Sequence, residues 1–456
     1  MRSLCSRPMS YGLYVAVILM ALLTPFHTSA KGLPRASPAP NTEYLSYDAA
    51  LELALTRSID TQRANLGIDL AAADVAVLSH ENDPRLVLSD TLSEMRPNAT
   101  NLLGNTIANA NRSGTTAILQ LSGMIYDFGR HAARLAQSEN QKDLRSLTHE
   151  ETLLNIRYRV ARGYTSLVSA ERAFVVAGEQ VKITQAKLEQ QRLHYKRGLR
   201  SESEVLAAEM DLGRANLVLS RAKAEIRSVR QTFASLLNVQ EELVYQKPLP
   251  SQVLELKPPE KTVLLLARWG DVIQKNPRDQ RREKEAEALV RDEDLVRSMQ
   301  RPTLTGSISA QHLMPWNGAA RNVYLGQMQL SWDIPWNGMA RDERHRISLR
   351  RRDLALLTES ERNDRKDQDA RARLTLENAA VEWQSSKNQA SLAERQRELV
   401  QRRYDSGKAS ALELTSAEAE LLTQRLELVR LQNTMTLALI DLAEARGVKD
   451  LRGVFQ

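Results

Sequence analysis

The residues best suited to chemistry lie scattered along the chain. Beyond the first thirty residues the histidines are His80, His131, His149, His194, His312 and His345. No two are three or four positions apart, so no helix presents a paired metal site. There is no glycine-rich phosphate loop and no nucleophile elbow. Cys5, the sole cysteine, precedes the apolar run from Tyr11 to Leu23. That run follows Arg2 and Arg7 and leads to Thr28-Ser29-Ala30, the pattern of a signal peptide cleaved after Ala30. The processed chain then carries no thiol, which excludes disulfides, cysteine metal sites and cysteine nucleophiles. The sequence reads as non-enzymatic, with no catalytic residue, no metal and no cofactor.

Charge points the same way. A net charge of +7 over 456 residues is modest, and basic and acidic residues interleave. Without a basic stripe or aromatic platforms, nucleic acid is not an expected partner. Aromatic residues are only 5% and charged residues 26%, a mix that suits long helices over a compact mixed fold. No stretch after the signal is apolar enough for a spanning helix, so a membrane role would require a β-barrel.

The elements that must position any site come in duplicate. Tyr195-Lys196-Arg197-Gly198 recurs as Tyr404-Asp405-Ser406-Gly407, a shift of 209, and the same shift aligns Gln120-Leu121-Ser122 with Gln329-Leu330-Ser331. Further upstream the shift is 218: Pro84 aligns with Pro302 and Gln62-Arg63 with Gln280-Arg281. The difference leaves nine extra residues between about 88 and 120, expected in a loop between two strands. The expected plan is a signal peptide (1–30), an extended segment (31–45), repeat one (46–239), a proline-containing linker (240–262), repeat two (263–448) and a tail (449–456). Strands are expected near 84–95, 115–127, 302–313 and 322–334, and hairpin tips near 195–201 and 404–410.

Between Gly129 and Tyr195, and again between Gly338 and Tyr404, lie 66 positions without a proline. A helix of that length runs roughly 100 Å. Leu153, Val160, Leu167, Phe174, Val181 and Leu188 form a heptad seam, and Leu147, Leu154, Ala161, Val168 and Val175 form a second beside it. Two seams imply a neighbour on each side, as in a wall of helices. The return helices repeat the pattern at Val205, Leu212, Leu219, Ile226 and Phe233, and at Leu414, Leu421, Leu428, Met435 and Leu442. Tyr47 to Leu78 reads as one further helix, with Val263 to about Met299 as its weaker counterpart. The stretch from Arg341 to Arg373 is polar and fits the seams poorly, which reads as one face meeting water. Alternation at Leu304, Gly306, Ile308 and Ala310, and at Met328, Leu330, Trp332 and Ile334, marks strands with one apolar face. Four strands cannot enclose an aqueous passage, so protomers must share a barrel.

In this order and spacing, the Tyr-x-x-Gly turns, Asn276-Pro277, Asp127-Phe128-Gly129 and Ile334-Pro335-Trp336-Asn337-Gly338 give the chain a resemblance to the TolC-type outer-membrane factor family over nearly the whole mature chain. The resemblance implies a mainly α fold with a membrane β-barrel portion. Two tandem repeats of long helical hairpins plus β-hairpins assemble as a homotrimer, forming a 12-stranded barrel in outer-membrane lipid and a 12-helix periplasmic tunnel. It further implies an exit channel that docks a periplasmic adaptor (membrane fusion) protein and an inner-membrane transporter, for small-molecule efflux or for type I protein secretion. A periplasmic adaptor or a structural coiled-coil protein is the alternative. Acidic residues after the tip turns are pore-gate candidates in this family. Glu413 matches such a position, Ser416 stands where a second acid is often found, and Glu204 and Asp405 complete the set; each carboxylate also reads as a solvated helix residue. Gly198, Leu199, Ser201, Gly407, Lys408 and Ser410 are the adaptor-docking candidates at the same tips, where the glycines equally serve the turn itself.

Overall fold

The computed structural model describes residues 44–93, 114–199, 201–240, 244, 248–250, 276–315, 319–334 and 338–455. The expected signal peptide, most of the extended segment, the loop carrying the nine extra residues and most of the linker lie outside them. In chain order the elements are α1 (Tyr47–Arg57), α2 (Ile59–Ser79), β1 (Arg85–Ser93), β2 (Gly114–Tyr126), α3 (Arg130–Lys196), α4 (Glu202–Leu237), α5 (Pro277–Met299), β3 (Thr303–Pro315), β4 (Arg321–Ser331), α6 (Met339–Asp405), α7 (Ala411–Arg446) and α8 (Arg452–Phe455). The fold is mainly helical with one small sheet.

The 67-residue helices α3 and α6 both start after a glycine in the left-handed region, Gly129 at φ 87° and Gly338 at φ 72°. Each is joined to a 36-residue return helix, α4 or α7. The strand-to-helix junction of repeat one is tied by Asp127, whose carboxylate accepts the N–H groups of Gly129 and His131. Those N–H groups are among the orphan donors of a helix start.

Tyr47 to Leu78 is two helices and not the single one expected. Ser58 leaves helical geometry (φ −59°, ψ 132°) and its hydroxyl caps α2 by accepting the Asp60 N–H at 3.2 Å. In repeat two the described helix runs Pro277–Met299 and the expected stretch from Val263 lies outside the described residues; Asn276 caps this helix, accepting the Arg278 N–H at 3.2 Å, and Pro277 has no N–H to give to a preceding turn.

The wall is four helices wide. Beside the sheet the order is α2–α3–α5–α6; toward the hairpin tips it is α4–α3–α7–α6. The main core lies midway along α3, where Tyr158, Tyr164 and Leu167 pack with α1, the ends of α4 and α7, Val244, Leu249 and the C-terminal residues. Tyr164 donates to the Leu45 carbonyl and Tyr158 to the Val448 carbonyl, so both buried phenols are satisfied. Burial pushes the Tyr47 hydroxyl up to about 12.

The polar stretch of α6 near the sheet is mostly exposed, as expected of a face meeting water, and its other side has a second origin. Charged pairs across helices replace apolar knobs: Arg282 to Glu361, Arg365 to Asp279 at 2.9 Å, Arg351 to Glu293 at 2.7 Å and Arg446 to Asp369 at 2.8 Å. Arg365 holds the Asp279 carboxyl below its ordinary range, and Arg282 does the same to Glu361.

Candidate functional site

The four strands form one antiparallel sheet in the order β1-β2-β3-β4. Among the described residues both outer edges, β1 and β4, lack a partner strand. Register places Leu86 beside Leu121, Leu121 beside Ile308, and Leu304 beside Leu330. The face bearing these residues is apolar and exposed: Leu86 is 67% accessible, Ile308 67% and Met328 70%. One row across the sheet, Asp90, Ala117, His312 and Asn322, is mostly polar, with Leu92 and Met314 in the row beyond it, and His312 Nδ1 lies 2.6 Å from Asn322 Oδ1. At the helical end stand Tyr126, Phe128 and Trp332, the last donating its indole N–H to the Gln300 carbonyl at 3.0 Å. Membrane barrel strands carry an outward apolar band flanked by aromatic residues, and this face has the same pattern.

The opposite face is polar. Ser122, Thr305, Ser307, Gln327 and Gln329 line a cleft together with Arg130, His131 and Arg134 of α3. Among the described residues no helix is long and apolar enough to cross a membrane.

At the far end of the helices the two tips are built alike. Gly198 (φ 73°) and Gly407 (φ 74°) sit in the left-handed region. The Gly198 N–H donates to the Tyr195 carbonyl and Leu199 N–H to His194; Gly407 and Lys408 repeat this to Tyr404 and Arg403. This is a Schellman ending, which requires a residue free of Cβ strain at C′. Ser201 and Ser410 then cap α4 and α7. The Ser201 N–H donates to Glu204 Oε2 at 3.0 Å, and the Glu413 N–H donates to Ser410 Oγ at 3.2 Å, with the Ser410 hydroxyl 3.2 Å from Glu413 Oε1. The Glu204 and Glu413 carboxylates thus fold back over the helix starts. Ser416 donates to the Glu413 carbonyl at 2.8 Å, and Asp405 accepts from Gln401 at 2.9 Å. Gly198, Leu199, Ser201, Gly407, Lys408 and Ser410 all lie on exposed turns, with Leu199 65% accessible.

Sequence reasoning missed a second feature near the tips. Lys187 of α3 places Nζ 3.0 Å from Glu418 of α7 and 3.4 Å from Asp211 of α4, and all three side chains are nearly buried. Thr415 donates to Asp211 at 2.7 Å, while the mostly exposed Arg214 reaches Asp211 only at 3.7 Å. Nearer the tip, Tyr404 donates to Gln191 Oε1 at 3.0 Å across the hairpins. No spacing in the sequence flags the cluster, because its members lie on three helices.

A four-stranded sheet with one exposed apolar face continues into a wall of long helical hairpins. Residues 50–239 match the model of the outer membrane efflux protein family. No curated protein matches the chain by sequence. Among solved structures, the outer membrane protein VceC of Vibrio cholerae is 16% identical, covering 88% of this chain and 96% of its own, with a TM-score of 0.69. The Campylobacter jejuni CmeC outer membrane channel is 15% identical, covering 90% of each chain, with a TM-score of 0.71. The Neisseria gonorrhoeae MtrE outer membrane channel in its open state is 17% identical over 88% of each chain, with a TM-score of 0.65. The resemblance to TolC-type outer-membrane factors is thus matched by the family model over residues 50–239 and by the fold over most of the chain.

Proposed function

We propose that the protein is the outer-membrane exit channel of a tripartite export system. Three copies close a 12-stranded barrel and a 12-helix periplasmic tunnel, a passive conduit for small-molecule efflux. Its tips dock a periplasmic adaptor, and through it an inner-membrane pump supplies the energy. The observation that carries this reading is the open sheet: among the described residues, four strands with both edges unpaired and an apolar face exposed. Such edges require partners, and a barrel with an aqueous lumen requires more than four strands.

The flanks of the wall support the same assembly. On one flank α2 exposes Ile59, Leu66, Leu70 and Val77, and α4 exposes Leu206, Met210 and Leu217. On the other, α6 exposes the seven-spaced pairs Leu349 and Leu356, Leu374 and Val381, and Leu392 and Leu399. Heptad seams left open on both flanks fit a head-to-tail ring that closes. The detergent-purified protein is expected to have the mass of a trimer and to conduct ions in a planar bilayer. Leu66→Asp with Leu70→Asp should break the ring, giving monomers by light scattering corrected for detergent. A monomeric wild type would overturn the reading.

At the tips, Glu413, Glu204, Ser416 and Asp405 form the gate in this reading, and the exposed turns at Leu199, Ser201, Lys408 and Ser410 receive the adaptor. Asp405 is the sharpest member, since an acid in the last turn of a helix opposes the helix dipole and does not serve helix stability. Glu413→Ala is expected to alter cation selectivity or single-channel conductance; unchanged values would leave Glu413 with its capping role alone.

A further inference from the structure

A groove of about 660 Å³ lies where α2, α3, α5 and α7 meet, and it is lined by Arg63, Arg145, Arg159, Arg162 and Arg278 against the carboxylates of Asp60 and Glu444. Three of these guanidiniums are paired. Arg159 meets Asp60 at 2.5 Å, Arg162 meets Asp441 at 2.7 Å and also Glu444, and Arg278 meets Glu151 at 2.8 Å. Arg63 and Arg145 have no ion pair among the described residues, and both are exposed. His149 is the remaining titratable group in the groove.

The groove faces the passage. The polar face of the sheet converges on His131 and Arg134 of α3. Sevenfold steps along the supercoiled helix keep a residue on one face. From His131 those steps lead to Arg145 and Arg159, and from Arg134 to Thr148, Asn155 and Arg162, all of which line the groove. Arg145 therefore lies on the luminal side, about 21 Å along the helix from His131.

The repeat argues that packing does not demand the surplus. The repeat-two counterpart of Arg63 is Arg281, which is held by Glu151 at 3.4 Å and Glu285 at 3.7 Å. The counterpart of Arg145 is Leu354. At these two positions only repeat one leaves a guanidinium without an ion pair among the described residues.

We propose that this groove is an anion-selecting collar, and that the channel favours cargo bearing carboxylate or similar small anionic groups. In the trimer, which this inference takes from the channel reading, six unpaired guanidiniums ring the passage at one level. Focused charge of one sign in a confined passage raises the local concentration of counter-ions, and guanidinium forks suit carboxylates.

The test is the reversal potential of the purified trimer in a planar bilayer under a potassium chloride gradient. Arg63→Gln with Arg145→Gln is expected to lower the chloride-to-potassium permeability ratio by about threefold or more, with trimer mass unchanged. Arg63→Lys with Arg145→Lys is expected to keep the wild-type ratio. Equal ratios in wild type and the glutamine variant would overturn the collar while leaving the channel intact. A wild type without any conductance would overturn the channel reading itself and the collar with it.

Discussion

Lys187→Met is expected to loosen the hairpin tips and raise the open probability of the channel. Lys187 is the cation nearest to two nearly buried carboxylates, Glu418 at 3.0 Å and Asp211 at 3.4 Å. Removing one member of a buried charged cluster typically costs about 3–5 kcal/mol, because the remaining charges keep their desolvation penalty without a partner. Here two carboxylates from different hairpins would face each other, and Arg214 is too exposed and too distant at 3.7 Å to replace the ammonium. The cluster joins α3 and α4 to α7, so the strain falls on the contact between hairpins. The structure predicts a lower melting temperature together with larger or more frequent conductance events. Adding Asp211→Asn and Glu418→Gln to Lys187→Met removes the charges and should recover most of the loss in stability. If Lys187→Met alone leaves both melting and conductance at wild-type values, the cluster does not hold the hairpins together.

The second large effect is expected in the sheet. Leu121 sits on the apolar face beside Leu86 and Ile308, midway between the Leu304 row and the His312 row. An arginine on the lipid face near the bilayer midplane costs roughly 2–4 kcal/mol. Three copies in one barrel place the cost for the trimer at about 6–12 kcal/mol. Leu121→Arg is therefore expected to deplete the protein from the outer-membrane fraction. Ser122→Arg, one residue away, points to the polar face beside Ser307 and should assemble, with a changed conductance as its only signature. Normal assembly of Leu121→Arg would mean that this apolar face does not meet lipid.

Much of this fold was legible because its determinants are local. The heptad seams of α3, α4 and α7 are periodic in sequence, and the positions they mark, such as Leu167, Phe233 and Leu442, are buried. The tip turns could be read from glycine placement, since a Schellman ending needs a left-handed C′ residue. The capping role of Glu204 and Glu413 is written in the sequence as Ser-x-x-Glu at Ser201 and Ser410. The break at Ser58 is a similar local signal, masked by apolar residues that continue in helical spacing on both sides.

What the sequence alone determined is which face of each helix and strand must be covered, because a heptad or a period of two marks a face without naming its partner. The tertiary structure alone decided the partners. It set α3 between α2 and α5 near the sheet and between α4 and α7 near the tips, which explains why α3 carries two seams. It turned the polar stretch of α6 into a set of ion pairs with α5 and α7, and brought Lys187, Asp211 and Glu418 together from three helices. It also gathered five arginines from α2, α3 and α5 around one groove of the wall. Such groupings depend on how far each helix slides along its neighbour. That offset is set by strand register and by the core at mid-length, so the spacing of residues within any one segment does not contain it.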